Sequence, residues 1–443
     1  MIRDALAVAI EALSWIELER LSAQAAFQRA ARQLQVTDRE SLGFAYRQVF
    51  ETVRRLNLLD RIAEKTVGKA KYAALPLGVK ALLRILAYES AVEERRSEAS
   101  RYIEAAREVL GWQTLHPVEE DLGRLLRTEA ASVFRDLPEG EGMSLRFCVP
   151  RWLVGYLYRL LGRPESLRFL SGLSTSPPTY VRLNPIRARG GSAAELLERS
   201  GFSLVEVPSV RGLYKASGGE LPVVESGAFK EGLARVEDLS VAYAVENLGV
   251  KEGARVLEVS TGPEAMTAHI SELMGNKGLI CSLHLSRGRT RLWKMEIARS
   301  GVQNAELVLG GPGSVPSDAE FDVVVVRPPC SRIGLWGRNP SDRWTSSLEA
   351  VLRLARTQWQ ILESCAEHVR TLGVLLYFTN TVTVEENEDN IRRLLRYYPE
   401  FKLTELKPQL GSRGLRGLTT CRRLYPHRDE CYGSFLAKLL REG

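Results

Sequence analysis

Two apolar segments, each followed by a break that carries polar side chains, constrain the fold of this chain most strongly. Phe321–Val326 is a run of apolar, mostly β-branched residues, as expected of a strand buried on both faces of a parallel sheet. A stretch with helical spacing then ends at Gly373, and Leu375–Phe378 predicts the next strand. Parallel neighbours end at the same edge of a sheet, where α/β sheets place their sites, so Cys330 and Asn380 are predicted to meet there.

The same two segments match a longer sequence pattern. The matching positions are Pro329, Cys330, Ser331, Gly334, Pro340, Trp344, Gln358, Tyr377, Thr379 and Glu385–Glu388. In this order they resemble the RsmB/Nop/Sun family of RNA 5-methylcytosine methyltransferases. The resemblance implies an α/β, Rossmann-like methyltransferase fold for residues 227–443. It also implies S-adenosylmethionine (SAM) as the methyl donor of active members.

The chain departs from the family pattern at the reaction centre. At position 380 the family carries a cysteine that attacks carbon 6 of the target cytosine, whereas this chain has Asn380. A thiolate is a strong nucleophile because its pKa lies near neutrality, and a carboxamide nitrogen offers no comparable lone pair. We therefore expect that the family's reaction cannot begin at Asn380. Cys330 is retained, and in the family this cysteine assists product release.

The positions at which the family holds SAM are altered as well. The turn after the strand Arg255–Val259 keeps Pro263, but it has Glu264 and Ala265 where the family has two glycines. Glycines allow backbone amides at the helix start to approach the carboxylate of SAM closely. Glu264 instead places a negative charge there, and at roughly 4 Å this repulsion costs on the order of a few kcal/mol.

Further substitutions lie at other strand ends, at positions that in the family contact SAM or the target base. The second strand ends in His284 instead of an acid for the ribose hydroxyls, and the third presents Gly311 instead of an aspartate near the adenine. Arg327 replaces the aspartate before the Pro-Pro-Cys motif, and Arg332 replaces a glycine after it. Since the losses are confined to the ligand-facing edge, we expect a retained fold that no longer binds SAM.

The residues before the methyltransferase-like region 227–443 predict two further domains. Residues 1–130 show helical spacing almost throughout and resemble the NusB-like helical domain that precedes some family members. Residues 144–226 resemble the small α/β RNA-recognition domain of the family, with Arg182 and Asn184 at its Arg-x-Asn strand. Two alternatives are open for this pair: contact with RNA, or attachment of the small domain to the catalytic domain. The predicted fold is therefore multi-domain, with the Rossmann-like domain last.

Composition favours an anionic partner such as RNA. The formal net charge is +7, and arginine, which suits phosphate contacts and base stacking, supplies most of the positive charge. Six cysteines without a Cys-x-x-Cys pair and five dispersed histidines signal no zinc site. The first residues do not resemble a signal peptide, and no apolar run approaches the roughly 20 residues that cross a bilayer. We therefore expect a reduced, cytoplasmic protein without membrane contact, and the sequence does not indicate its oligomeric state.

Three functions are compatible with these features, and the first is preferred. In this function the protein is a relative of the rRNA and tRNA cytosine-5 methyltransferases that binds RNA or a ribonucleoprotein without methyl transfer. Arg327, Arg332 and Arg338 would then contact phosphates. The second is an active SAM-dependent RNA cytosine methyltransferase in which Cys330 is the nucleophile. The third is a protein-assembly module whose NusB-like domain binds a protein. SAM is expected as a cofactor only under the second function.

Overall fold

The chain folds into a helical unit and a sheet unit. A computed structural model describes residues 2–135, 137–188, 192–260, 266–316 and 318–443. The helical unit comprises the chain up to Ser174 together with Arg338–Ser347. The sheet unit comprises Thr175–Gly337 and Leu348–Gly443.

The helical unit is built from amphipathic helices that share an apolar core. They are α1 (Ile2–Glu19), α2 (Ala23–Gln33), α3 (Arg39–Arg54), α4 (Leu56–Val67), α5 (Lys69–Ala74), α6 (Leu77–Ala87), α7 (Arg96–Leu110), α8 (Trp112–Leu115), α9 (Glu119–Leu125), α10 (Glu139–Arg146), α11 (Arg151–Leu161) and α12 (Arg163–Leu173). In α1, Ala5, Ala9 and Leu13 recur at helical spacing and are buried. The side chains of Ser22 and Asp38 start α2 and α3 by accepting hydrogen bonds from backbone amides three residues later.

Arg338–Ser347 belongs to the helical unit, although the residues on both sides of it belong to the sheet unit. Within this segment Arg343 is fully buried and donates hydrogen bonds of 2.8 to 3.2 Å to the carbonyl oxygens of Arg54, Cys148 and Leu173. Burial and the neighbouring charge of Arg54 lower the pKa of Arg343 to about 9. Arg54 and Leu173 end their helices, so one side chain pairs with carbonyl groups that lack intrahelical partners.

The first part of the sheet unit is an antiparallel sheet with strand order β2–β3–β1–β4. Its elements are β1 (Thr179–Leu183), α13 (Ser192–Arg199), β2 (Phe202–Glu206), β3 (Leu213–Gly218), α14 (Gly227–Lys230) and β4 (Ala234–Val236). Val181, Leu197, Phe202 and Ala234 are buried together on one face of this sheet. The strands therefore pack against their own connecting helices.

The second part of the sheet unit is a larger, mixed sheet with strand order β11–β12–β13–β9–β8–β5–β6–β7, in which β10 also pairs with β13. The strands are β5 (Arg255–Ser260), β6 (Leu279–His284), β7 (Ala305–Leu309), β8 (Phe321–Arg327), β9 (Val369–Thr379), β10 (Phe401–Thr404), β11 (Ser412–Arg413), β12 (Arg422–Leu424) and β13 (Ser434–Arg441). The helices are α15 (Leu239–Glu246), α16 (Met266–Leu273), α17 (Thr290–Ser300), α18 (Leu348–Ala366), α19 (Glu388–Tyr397) and α20 (Pro426–Asp429). Strands β5 to β9 are parallel, and β13 is antiparallel to β9. The predicted fold class, a helical region followed by an α/β methyltransferase fold, is confirmed.

The prediction for Gly373 is wrong. Helix α18 ends at Ala366, and Gly373 lies inside β9 instead of closing a helix. The pairing of β8 with β9 shifts in register between Phe321 and Val323. A Cβ atom at Gly373 would lie 2.7 Å from the carbonyl oxygen of Arg370 in the same strand and 3.1 Å from that of Asp322 in β8. This glycine therefore allows β9 to bend at an irregular pairing and to lie close to β8. Its spacing in the sequence does not distinguish this role from a helix end.

The NusB-like identity of the helices and the domain boundaries at residues 130, 144 and 227 stay predictions. Helices α10 to α12, which follow residue 130, lie in the helical unit. Among the helices that the structure describes, none combines the length and the apolar character needed to span a membrane.

Candidate functional site

The carboxyl ends of β5, β8 and β9 meet at one edge of the larger sheet and form the candidate site. Ser260 at the end of β5 pairs with Arg327 at the end of β8, and β9 runs parallel to β8. The loop after β9 begins with Asn380, whose carbonyl oxygen accepts a 3.1 Å hydrogen bond from the amide of Gly334. The backbone amide of Asn380 also donates to the sulfur of Cys330. Cys330 and Asn380 are thus brought together at the sheet edge.

Arg327 and Asn380 form a buried, hydrogen-bonded pair at the centre of this site. Arg327 Nη2 donates to Asn380 Oδ1 over 2.8 Å, and Asn380 Nδ2 donates to Ser434 Oγ over 2.9 Å. The guanidinium carbon of Arg327 lies 5.2 Å from the ring centroid of Phe378. Arg327 is 7% exposed and Asn380 is 3% exposed. The carboxamide therefore uses both of its polar atoms within the fold, one of them on the arginine.

The burial of Arg327 corrects one prediction from the sequence. A phosphate contact requires an accessible guanidinium, whereas Arg327 is directed into the protein and bonded to Asn380. Arg332 is partly exposed and has a backbone φ of 57°, in the left-handed region that favours the glycine of the family pattern. Arg338 is exposed, and RNA contacts of Arg332 and Arg338 stay predictions.

Cys330 is partly buried beside Asn380, and its surroundings keep the thiol protonated. Burial raises the pKa of the Cys330 thiol to about 11, and the nearby carboxylate of Glu386 acts in the same direction. Hydrogen bonds from the backbone amides of Asn380 and Arg332, and the charge of Arg327, oppose this shift. Since the thiolate is the nucleophilic form, Cys330 is poorly activated near neutral pH.

A cluster around Glu386 holds the turn that carries Cys330. The buried carboxylate of Glu386 accepts hydrogen bonds from the amide of Ser331 at 2.7 Å, the hydroxyl groups of Ser331 and Thr383 at 2.6 Å, and Gln358 Nε2 at 2.9 Å. Gln358 also donates to the carbonyl oxygen of Pro329 over 2.8 Å. Burial raises the pKa of Glu386, and the hydrogen bonds from Ser331 and Thr383 oppose the shift. The motif residues therefore have a structural role that does not depend on catalysis, which the sequence match alone does not reveal.

Glu258 is a buried residue of β5 and pairs with Ser282 of β6. It is 1% exposed and accepts hydrogen bonds from the hydroxyl groups of Thr267 and Ser282. Trp293 Nε1 donates in turn to Thr267 Oγ1 over 3.0 Å. Burial raises the pKa of Glu258 to about 7, although both hydroxyl groups and the charge of Arg327 act to lower it. A chain of internal hydrogen bonds thus links β5, β6, α16 and α17.

The sequence-predicted cofactor positions are described in part. His284 is 2% exposed, and its ring packs edge-on against Trp293 with centroids 5.8 Å apart. Burial lowers the pKa of His284, which favours the neutral imidazole. Gly311 is exposed after β7. Pro263 and Glu264 lie outside the described residues, and the cofactor roles of all four positions stay predictions.

Replacing Glu258 by glutamine is expected to stabilise the protein above about pH 7 and to change little below about pH 4.5. The pKa of Glu258 is higher in the folded state than in the unfolded state. Its favourable contribution to the free energy of unfolding is therefore complete below the unfolded-state pKa and is lost as the pH rises through about 7. The neutral amide avoids this loss, which amounts to about 3 kcal/mol.

Urea unfolding of the wild type and of Glu258→Gln, compared at acidic and mildly alkaline pH, tests this expectation. Glu349→Gln is the control, since the Glu349 side chain is 83% exposed. An identical decline of the unfolding free energy in the wild type and in Glu258→Gln would show that Glu258 does not titrate as inferred.

Arg182 and Asn184 are turned inward, which favours attachment over RNA contact, the two alternatives that the sequence leaves open. Arg182 is 5% exposed and donates to Glu272 Oε2 at 2.8 Å and to the carbonyl oxygen of Arg211 at 2.7 Å. Asn184 is 1% exposed, and its Nδ2 donates to the carbonyl oxygens of Gly232 at 2.8 Å and of Ser300 at 2.9 Å. Glu272 and Ser300 belong to α16 and α17, beside the larger sheet. Both residues therefore join the small sheet to the helices of the larger sheet, as the second alternative proposed.

The chain is similar in sequence to known RNA methyltransferases. Residues 245–440 match the family model described as "16S rRNA methyltransferase RsmB/F". The chain is 24% identical over 410 residues to the probable ribosomal RNA small subunit methyltransferase B of Synechocystis, covering 89% of this chain and 90% of that protein. It is 31% identical over 217 residues to the tRNA (cytosine(72)-C(5))-methyltransferase of Pyrococcus horikoshii, covering 48% of this chain and 54% of that protein.

The fold of this chain is similar to solved structures over large parts of its length. The crystal structure of PH0851 has a TM-score of 0.78 and 26% sequence identity, covering 100% of this chain and 99% of that chain. The crystal structure of NSun6 from Pyrococcus horikoshii with SFG has a TM-score of 0.61 and 22% identity, covering 66% of this chain and 98% of that chain. The second similarity indicates a shared fold.

Proposed function

We propose that this chain is a member of the RsmB/Nop/Sun family of RNA 5-methylcytosine methyltransferases that binds RNA without transferring methyl groups. The match of residues 245–440 to the family model and the similarity to rRNA and tRNA methyltransferases support the membership. The RNA is ribosomal or transfer RNA, free or in a ribonucleoprotein, and the protein acts in the cytoplasm. The main support for the loss of methyl transfer is the hydrogen bond between Arg327 and Asn380.

The pair Arg327–Asn380 supports this proposal because it replaces the reactive groups of the family with groups bonded to each other. Attack on a cytosine requires a nucleophile with an available lone pair, and the Asn380 amide instead donates to Ser434. The guanidinium of Arg327 lies where the family places an aspartate beside the target base, and it is bonded to Asn380 and buried. A flipped cytosine would have to displace a buried, hydrogen-bonded cation to reach position 380.

The residues at the strand ends do not fit SAM. In the part of the chain that the structure describes, β6 ends in a neutral, buried His284 and β7 is followed by Gly310 and Gly311, so neither end supplies a carboxylate. Hydrogen-bond acceptors are the groups that hold the ribose hydroxyls of such cofactors. Glu264 adds a negative charge to the turn that receives the cofactor's carboxylate in the family. No reaction step through SAM is therefore assigned to this chain.

The geometry of Cys330 does not favour the alternative reaction in which this thiol attacks the base. A pKa near 11 leaves about one thiol in ten thousand ionised at neutral pH. The carboxylate of Glu386 disfavours a thiolate at Cys330 more strongly than the charge of Arg327 favours it. Cys330 is better explained as a structural residue of the turn held by Glu386.

RNA as the partner is supported by the relatives, whose names specify ribosomal or transfer RNA, and by the net charge of +7. The test is fluorescence anisotropy of labelled rRNA and tRNA fragments titrated with the full chain. We expect micromolar or tighter dissociation constants, with affinity that falls as salt rises because counterions are released from phosphates. In a parallel assay with SAM, we expect no 5-methylcytosine in the bound RNA.

Two results would contradict the proposal. Dissociation constants of about 1 mM or weaker that do not change with salt would refute the RNA-binding function. The protein-assembly function would then be the remaining hypothesis. Formation of 5-methylcytosine by the wild type would refute the inference that methyl transfer has been lost.

A further inference from the structure

An arginine lies between two aromatic rings where α18 and α19 pack together. The guanidinium carbon of Arg393 lies 4.1 Å from the ring centroid of Trp359 and 5.7 Å from that of Tyr397. The two rings have centroids 5.8 Å apart and are inclined at 47°. Trp359 is 4% exposed, whereas Tyr397 is 60% exposed. The stack therefore rests on a buried tryptophan and presents a tyrosine to solvent.

Unpaired positive charge surrounds this stack. Arg356 precedes Trp359 by three residues on α18, and Arg392 and Arg396 lie one turn apart on α19; all three are exposed. Within the described residues none of these three, nor Arg393, forms an ion pair. Two nearby acids pair with other arginines: Glu349 pairs with Arg353, and Asp389 pairs with Arg416. Three more acids, Glu363, Glu367 and Glu400, lie near Tyr398, the residue that follows Tyr397. The surface formed by Arg356, Trp359, Arg392, Arg393, Arg396 and Tyr397 is called the α18–α19 face below.

This combination of groups matches the chemistry of single-stranded RNA. An exposed aromatic ring stacks on an unpaired base, and arginine guanidinium groups contact phosphates and stack on bases themselves. The contact with Arg393 and Trp359 holds Tyr397 in place, so less conformational entropy is lost when a base stacks on it. A protein core contact explains Trp359, but it does not explain an exposed tyrosine flanked by four cations without ion-pair partners in the described chain.

The α18–α19 face is separate from the candidate site at the sheet edge. Helix α19 starts at Glu388, close to the loop that carries Asn380 and Glu386. Tyr397 ends that helix, and nine residues of α-helix span roughly 14 Å. An RNA strand that binds Tyr397 therefore does not need to enter the buried site around Arg327.

We propose that the α18–α19 face binds single-stranded RNA, with Tyr397 stacking on a base and Arg392 and Arg396 contacting phosphates. This inference rests on the proposed function, since it names the surface through which RNA is bound. It places the contact outside the former reaction centre, so binding does not require a base to be flipped.

The test is an anisotropy titration of a labelled single-stranded pyrimidine RNA with the full-length wild type, Tyr397→Ala, Tyr397→Phe and the double variant Arg392→Gln/Arg396→Gln. Tyr397→Ala is expected to weaken binding roughly five- to a hundred-fold, because one stacked base is lost. Tyr397→Phe keeps the ring and is expected to bind like the wild type. The double arginine variant is expected to lower the slope of log affinity against log salt by about 1.4, for two single-strand phosphate contacts.

The matched control is Arg96→Gln/Arg101→Gln, which removes the same charge from two exposed positions of α7. Near-ultraviolet circular dichroism verifies that each variant is folded. If the wild type binds RNA and Tyr397→Ala binds equally well, or if the control weakens binding as much as the double variant, the α18–α19 face is refuted and the proposed function stands. If the wild type binds no RNA, both are refuted.

Discussion

Replacing Glu272 by alanine is expected to lower the free energy of unfolding of the sheet unit by about 3–5 kcal/mol, because it leaves two buried arginines without a shared partner. Glu272 is a side chain of α16 with 1% exposure. Its two oxygens accept hydrogen bonds from Arg182 Nε at 2.8 Å and from Arg235 Nη1. The arginine side chains are 6% and 2% exposed, so bulk solvent solvates their charges poorly.

The effect is large because Glu272 is part of an extended buried network. Arg235 Nε also donates to Glu237 Oε2 at 2.9 Å, and His269 Nδ1 lies 2.8 Å from Glu237 Oε1. The pKa of Glu237 is lowered to about 2 although burial acts to raise it, because His269 and Arg235 stabilise the carboxylate. Removing Glu272 is costly because both arginines stay buried, while Arg235 keeps only Glu237 and Arg182 keeps only Glu246 as an ion-pair partner.

Urea-dependent hydrogen exchange of backbone amides in α16 and β4 measures this change within the sheet unit. The matched control is Glu252→Ala, which removes an ion pair with Lys277 whose side chains are 63% and 66% exposed. Exposed pairs contribute roughly 0–1 kcal/mol, so the control is expected to stay near the wild type. Equal effects of Glu272→Ala and Glu252→Ala would refute a structural role of this network and reopen RNA contact at Arg182.

Restoring the nucleophile alone, by Asn380→Cys, is expected to give no methyl transfer. The new side chain would lie beside Arg327, and that cation would favour a thiolate. A thiolate without a bound methyl donor still cannot form 5-methylcytosine, and three strand-end or turn positions that face SAM in the family carry Glu264, His284 and Gly311. The measurement is incorporation of labelled methyl groups from SAM into rRNA and tRNA.

An alkylation assay shows whether the introduced thiol is reactive. A reactive thiol without methyl transfer indicates that the methyl donor is not bound, whereas an unreactive thiol would itself explain the lack of activity. The comparison variant combines Asn380→Cys with Arg327→Asp, Glu264→Gly and Ala265→Gly, which restores four positions of the family pattern. Methyl transfer by Asn380→Cys alone, at any rate above the wild-type background, would refute the inference that the donor site is lost.

The sheet edge and its neighbours were predictable because the sequence signal there is local. Phe321–Val326 is an unbroken apolar run, as a strand covered on both faces requires, and the structure extends it by one residue to Arg327. The break that follows contains prolines, which end a strand visibly. The meeting of Cys330 and Asn380 then follows from the parallel order of the strands.

The pairing of Arg327 with Asn380 was not predictable from either residue alone. Taken singly, Arg327 indicates a positive charge at the mouth of the site, and Asn380 indicates a missing nucleophile. The two residues are 53 positions apart in sequence, and only the structure shows the hydrogen bond between them. Arg182 shows the same difficulty, because an arginine on a strand is usually exposed and its partner Glu272 lies 90 residues away. Buried ion pairs between distant segments leave no periodic signal in the sequence.

Isothermal titration of the purified wild-type chain with SAM tests the central claim most directly, because it measures binding of the methyl donor without any RNA or catalysis. The account predicts no saturable heat up to about 1 mM SAM, which corresponds to a binding free energy weaker than about 4 kcal/mol. One-to-one binding with a micromolar dissociation constant would contradict it.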